Sequence, residues 1–199
     1  MTIPLVLASG SAIRATMLKK ANVPFDIIVP RIDEDSVKRA LAAEQAKPRD
    51  VADTLAELKA RRISSRQPGA FVIGCDQVLD FQGATFSKPE NRQEATEQLR
   101  HLRGHRHSLL SAAVIVEDNR PIWRHVGQVR LHMRQLSDAY LDSYVERNWD
   151  SIKHSVGSYK LEEEGVRLFS AIDGDYFNVL GMPLIELLNF LAVRGVIES

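Results

Sequence analysis

The chain has a single cysteine, Cys75, no excess of charge of either sign and no long apolar run. One thiol cannot form an intramolecular disulfide, and paired cysteines for a structural zinc are missing. Basic and acidic residues balance at 26 each. No global field therefore draws the chain to a nucleic acid polymer or an anionic membrane. The longest apolar stretch, Met182 to Val193, is broken by Glu186 and Asn189. It falls short of the roughly 20 residues a membrane span needs. The apolar run at the start lacks a basic leader and is too short for a signal segment. A soluble, cytoplasmic protein is the expectation. Also missing are G-x-x-x-x-G-K-[ST], G-x-G-x-x-G and G-x-S-x-G, which excludes a P-loop, a dinucleotide fingerprint and a nucleophile elbow. His105 and His107 are two apart, but a lone pair lacks the third ligand a metal site needs, so they read as structural.

What is present begins with the first fourteen residues. Ile3 to Ala8 is a short apolar run, Ser9-Gly10-Ser11 a small polar turn, and Ala12-Ile13-Arg14 opens a helical stretch. A strand that feeds a helix through such a turn makes an anion pocket, because the first helical N–H groups have no intrahelical partner and the dipole is positive there. Gly10 permits close backbone approach. Ser9 and Ser11 add hydroxyls, Ser11 as a predicted N-cap. Arg14 adds a guanidinium suited to phosphate.

The rest alternates helices and strands around a hairpin-rich middle, which predicts an α/β or α+β fold with a mixed sheet. At 199 residues the chain makes one domain, or one domain with two lobes. Phe25 to Val29 reads as a strand and Arg31 to Ser36 as an acidic loop that either caps the next helix or binds metal. Val37 to Ala46 and Val51 to Ser64 read as helices, the second carrying Lys59. Ala70 to Cys75 reads as a buried strand ending in Asp76-Gln77. An acid at the carboxyl end of a buried strand sits where open α/β sheets bind ligands. A hairpin turns at Gln82-Gly83, followed by Ser87-Lys88-Pro89. Arg92 to Leu102 and Ser137 to Arg147 are predicted helices, and His107 to Val116 and Ile122 to Met133 strands. Ser155 to Leu168 is irregular, Ile172 to Asp175 a tight turn, and Pro183 starts the last helix.

Ser9, Ser11 and Arg14 make a phosphate pocket, Lys59 and Lys88 are two further cations that can neutralise a polyphosphate, and Glu34 and Asp76 can hold a divalent metal and activate water. That set suits hydrolysis within a phosphate chain better than hydride or acyl transfer.

These residues carry a resemblance. Leu7-Ala8-Ser9-Gly10-Ser11-Ala12-Ile13-Arg14 resembles the L-A-S-x-S-P-x-R opening of the Maf family of nucleotide pyrophosphatases. The likeness continues, in the family's order, through Asp33-Glu34, Ala56 to Ala60, Gly74 to Val78, Lys88-Pro89, Leu102-Arg103-Gly104 with His107, Gly157-Ser158-Tyr159 and Gly174 to Leu184. It implies one domain over residues 1–199: an elongated mixed β-sheet flanked by helices, with two lobes and a deep central cleft. It implies cleavage of a nucleoside triphosphate between the α and β phosphates, assisted by Mg²⁺ or Mn²⁺, to a monophosphate and pyrophosphate. Asp76 matches the family's general base, Glu34 a metal or water-positioning acid, and Ser9, Arg14, Lys59 and Lys88 its phosphate-binding positions. Gln77 and Glu162 stand where members acting on thymidine and uridine nucleotides carry threonine and glutamine. That pair resembles the subfamily acting on 7-methyl-GTP, since a carboxylate can accept two hydrogen bonds from guanine. Ala12, Ile13 and Ser87 depart from the family pattern without removing a charged group. The family often dimerises, so a homodimer is the expectation. Its septum-inhibition phenotype supplies the alternative, a nucleotide-binding regulator of cell division acting through a protein partner.

Overall fold

The computed structural model describes residues 3–198. The strands are β1 (Leu5–Ala8), β2 (Asp26–Ile27), β3 (Phe71–Phe81), β4 (Ala84–Phe86), β5 (Arg106–Glu117), β6 (Arg120–Met133) and β7 (Phe169–Asp173). The helices are α1 (Ala12–Lys20), α2 (Glu34–Ala43), α3 (Pro48–Ser64), α4 (Arg92–Leu102), α5 (Asp138–Ile152), α6 (Tyr176–Val179) and α7 (Leu184–Val193). Seven strands form a mixed sheet in the order β2-β1-β3-β5-β6-β7, with β4 paired to β3. β1 runs parallel to both β2 and β3, whereas β3–β4 and β6–β7 are antiparallel. Among the described residues no helix is long and apolar enough to cross a membrane.

The chain divides into two compact units. The first comprises Met1–Gln77, Leu110–Gly127 and Asp175–Ser199; the second, Val78–Leu109 and Gln128–Gly174. In the first, side chains alternate across the strands with the period of two that a pleated sheet imposes. Leu5 and Leu7 of β1 and Phe71, Ile73 and Cys75 of β3 turn to one face, where they pack with Ala15, Met17 and Leu18 of α1 and Leu184, Leu187 and Leu191 of α7. Val72, Gly74 and Asp76 therefore take the opposite face. There Gly74 meets α3 so closely that a Cβ would lie 2.7 Å from Ala60 N and 2.9 Å from Ala60 Cβ. Ala52, Ala56 and Ala60 recur every fourth residue and are fully buried, so α3 offers a small-residue stripe at this interface.

In the second unit, α4 and α5 pack together, and Leu99 and Leu102 of α4 and Leu141 and Val145 of α5 are buried. A ring cluster joins His107, Tyr159 and Phe169, with Tyr159 and Phe169 edge-on at 4.8 Å between centroids.

Three expectations change. Asp76 does not end its strand: β3 runs on from Phe71 to Phe81 and turns into β4. Parallel pairing with β1 nevertheless stops at Ala8↔Gly74, so Asp76 lies just past the end of β1. Ile172 and Asp173, read as part of a turn, instead end β7, a five-residue strand that is exposed beyond buried Phe169 and whose lack of an apolar run hid it. Ser11 occupies the N-cap position of α1, but its side chain makes no capping bond. Ser137 does cap α5, accepting from Tyr140 N at 3.2 Å.

Candidate active site

In the first unit, α3 sets Lys59 directly across from β3. Its ammonium donates to Asp76 Oδ1 at 2.6 Å and pairs with Glu34 Oε1 at 2.9 Å. Lys59 and Asp76 are buried, while the Glu34 side chain is 37% exposed. Two carboxylates are thus held on one cation at the end of β1. Close packing of α3 on Gly74 makes this reach feasible, since Lys59 directly precedes Ala60 and Asp76 lies two residues beyond Gly74.

The acidic loop has divided its roles. Asp33 caps α2, accepting from Ser36 N at 3.0 Å and Ser36 Oγ at 2.7 Å. Those two hydrogen bonds, the backbone one foremost, hold its carboxyl below the usual range. Glu34 turns to Lys59 instead.

The first loop also resolves into distinct parts. Ser9 Oγ accepts from Ser11 N at 3.2 Å and from Arg14 Nη1 at 3.4 Å. Arg14 is anchored to backbone: Nε donates to Gly181 O at 2.8 Å and Nη1 to Cys75 O at 2.9 Å. Cys75 O belongs to the peptide whose nitrogen is that of Asp76. Arg14 thus fixes the backbone beside Asp76 while standing next to the loop. Burial pushes the Cys75 thiol up to about 11, so it stays protonated and is no nucleophile at neutral pH.

Gln77 Nε2 lies 3.0 Å from each of Ser111 Oγ, Asn178 O and Val179 O. Its amide nitrogen is thus engaged by Ser111 and α6. Asn178 packs over Gly127, where a Cβ would lie 2.6 Å from Asn178 Nδ2.

Lys88 and Glu162 belong to the second unit, and both are exposed. Lys88 follows β4, fixed by buried Pro89. Gln98 of α4 donates from Nε2 to Ser87 O and accepts from Ser158 Oγ, each at 3.0 Å. That tie between the lysine loop and the Gly157-Ser158 turn has no signal in sequence spacing. Ser158 is fully buried at φ +61 and Gly157 sits at φ +76. At Gly157 a Cβ would come within 2.8 Å of Tyr159 Cε1. His107 shares a 2.8 Å hydrogen bond with Tyr159 Oη through Nε2. Burial first, and then His132, lower its pKa to about 4, so it is a neutral core residue, in keeping with a structural role.

Among the described residues no group of three or more His, Cys, Asp and Glu could hold a metal ion. Glu34 and Asp76 are hard oxygen donors on a shared cation, a set that suits Mg²⁺ or Mn²⁺ only if phosphate oxygens and water complete the shell. Mg²⁺ commonly binds in that way, through one or two carboxylates and a substrate's phosphates.

A family model described as Maf-like protein matches residues 4–194. The chain belongs to the Maf family. Among its relatives, a nucleoside triphosphate pyrophosphatase of Ruegeria pomeroyi is 69% identical over 199 residues, all of both chains. One of Roseobacter denitrificans is 66% identical over 192 residues, 96% of each. One of Caulobacter vibrioides is 48% identical over 194 residues, 98% of this chain and 97% of the relative. Membership of the Maf family makes the sequence blocks that flank Ser9, Lys59 and Asp76 parts of one matched domain.

Proposed function

We propose that the chain hydrolyses nucleoside triphosphates to a monophosphate and pyrophosphate. The observation that carries this reading is Lys59 bridging Glu34 and Asp76 past the end of β1, beside the Ser9-Gly10-Ser11 loop. The relatives' printed activity and the family match support the substrate class.

Phosphoryl transfer needs positioning and charge stabilisation more than covalent chemistry. Ser9, Ser11 and the open N-terminus of α1 take phosphate oxygens, with Arg14 securing the loop and Lys88 adding a cation. Asp76 accepts a proton from the water that attacks the α-phosphorus. Lys59 orients that carboxylate and balances part of the charge brought in by substrate. Mg²⁺ or Mn²⁺ would be held by Glu34 and Asp76 together with phosphate oxygens. When bound it supplies Lewis-acid stabilisation of the departing pyrophosphate. Gln77 and Glu162 are assigned to base recognition, with 7-methyl-GTP as the favoured substrate, because Glu162 offers two acceptor oxygens to a guanine edge.

Chromatographic product analysis tests the reading. The wild type is expected to release one pyrophosphate per nucleotide and no orthophosphate. Asp76→Asn should lose at least about a hundredfold in kcat while still binding a non-hydrolysable triphosphate, as expected for a lost general base. Near wild-type turnover in Asp76→Asn would remove Asp76 from the chemistry. On a panel of 7-methyl-GTP, dTTP and UTP, Glu162→Gln should shift preference away from 7-methyl-GTP; an unchanged ranking would dismiss the base assignment.

A further inference from the structure

A second cationic site lies in the first unit, on the same helix as Lys59. The C-terminal end of α3 and the segment after β2 enclose a cavity of about 320 Å³. Arg31, Arg62 and Arg66 line it, with Val29 and Ile63 supplying apolar wall. Lys59, Arg62 and Ile63 follow one stripe of α3 at spacings of three and four, and Arg66 comes one turn later. Arg31 approaches from a different segment.

None of these three guanidinium groups pairs with an acid among the described residues. Of the acids near them along the chain, Asp33 is engaged on Ser36, Glu34 on Lys59, and Glu57 on Arg61 and Arg124. Basic residues at a helix C-terminus complement its dipole. That accounts for Arg61 and Arg62 but not for Arg31, which comes from another segment and faces the same space. Like charges around one cavity repel, and an anion that enters relieves the repulsion.

We infer that this cavity binds a small oligophosphate, either free pyrophosphate or the phosphate tail of a nucleotide. Planar guanidinium forks match phosphate oxygens, and three of them suit an anion carrying more than one phosphoryl group. The volume lies at the small end of the range for small-molecule sites, which fits such an anion. The Val29 side chain borders both this cavity and the first loop: its Cγ1 lies 3.4 Å from where a Gly10 Cβ would stand. Arg31 is three residues from Glu34, and Arg62 is three from Lys59. Occupancy therefore touches both segments that carry the Lys59–Glu34 pair, placing the anion to report product or nucleotide level to the catalytic cluster. The site itself stands whether or not the chain is a hydrolase.

Isothermal calorimetry on the full chain at low salt, with inorganic pyrophosphate as probe, tests it without turnover. Arg62→Ala/Arg66→Ala should lose one equivalent of pyrophosphate or bind it at least about tenfold more weakly, consistent with two lost charge-assisted contacts. Wild-type binding should weaken as salt rises from about 50 to 200 mM, as for exposed charges. Arg31→Glu, a loop change that leaves α3 intact, should have the same effect. Thermal melting without anion checks that each variant folds. A nucleoside diphosphate that binds this site more tightly than pyrophosphate identifies a nucleotide occupant, and equal affinity identifies the free anion. Unchanged stoichiometry and affinity in both variants would overturn the inference, leaving the Lys59–Asp76 cluster as the place where pyrophosphate binds.

Discussion

Lys59 makes two contacts of similar length and different worth. Its partner Asp76 is buried with it, whereas Glu34 keeps more than a third of its side chain in solvent. Removing the cation leaves Asp76 in a low-dielectric setting without its counter-charge, which for a buried pair costs about 3–5 kcal/mol. Losing the half-exposed Glu34 charge costs less than about 1 kcal/mol, because solvent screens that pair. Urea unfolding at pH 7 should therefore show Lys59→Met strongly destabilised and Glu34→Gln close to wild type. Equal destabilisation would mean that the Asp76 contact does not dominate. This asymmetry was not legible in the sequence. Asp33, Glu34 and Asp35 are a run of acids whose roles no spacing separates; only the fold turns one to a helix cap and the next to Lys59. Arg14 is similar. Its partners, Cys75 O and Gly181 O, lie 61 and 167 residues away along the chain, so a reading of local pattern finds the guanidinium but not what it anchors.

The contact between α3 and β3 decides whether the cluster can form at all. Most of the elements were readable: the hairpin turn at Gln82-Gly83, the Arg92–Leu102 helix and the long β5 and β6 all follow from period and turn chemistry. β7 was not, because its exposed Ser-Ala-Ile-Asp has no buried face to alternate against. Nor was the closeness of α3 to β3, which depends on Gly74 opposite Ala56 and Ala60. Adding a methyl at Gly74 drives it into the Ala56 carbonyl and Ala60 backbone, contacts that no side-chain rotamer can relieve. Overpacking of this kind costs about 1–3 kcal/mol and shifts backbone. Gly74→Ala should lower the melting temperature and reduce kcat along with it, since the helix that moves carries Lys59. Thermal melting and steady-state kinetics on the same preparation check this. A variant that melts lower but turns over at the wild-type rate would show that the Lys59–Asp76 distance is not what the close packing serves.

Across the whole molecule, the residues proposed to meet the phosphates and the metal in the first compact unit are Ser9, Arg14, Glu34, Lys59 and Asp76. The described residues form no protein cage of three or more metal-ligating side chains. A metal bound mainly through substrate phosphates should add nothing to the stability of the chain alone. Metal and triphosphate together should stabilise it, because a ligand that binds only the folded state contributes about 2.7 kcal/mol at a hundred times its Kd. In a chain of this length each kcal/mol raises Tm by about 2–4 °C. Mg²⁺ without nucleotide should therefore leave Tm within about 1 °C, and a non-hydrolysable triphosphate with EDTA should have little effect. Both at saturation should raise Tm by about 5–10 °C. Differential scanning calorimetry of the four conditions separates the cases. A large shift with Mg²⁺ alone would reveal a preformed metal site, and Glu34 and Asp76 would then have to hold the ion without help from substrate.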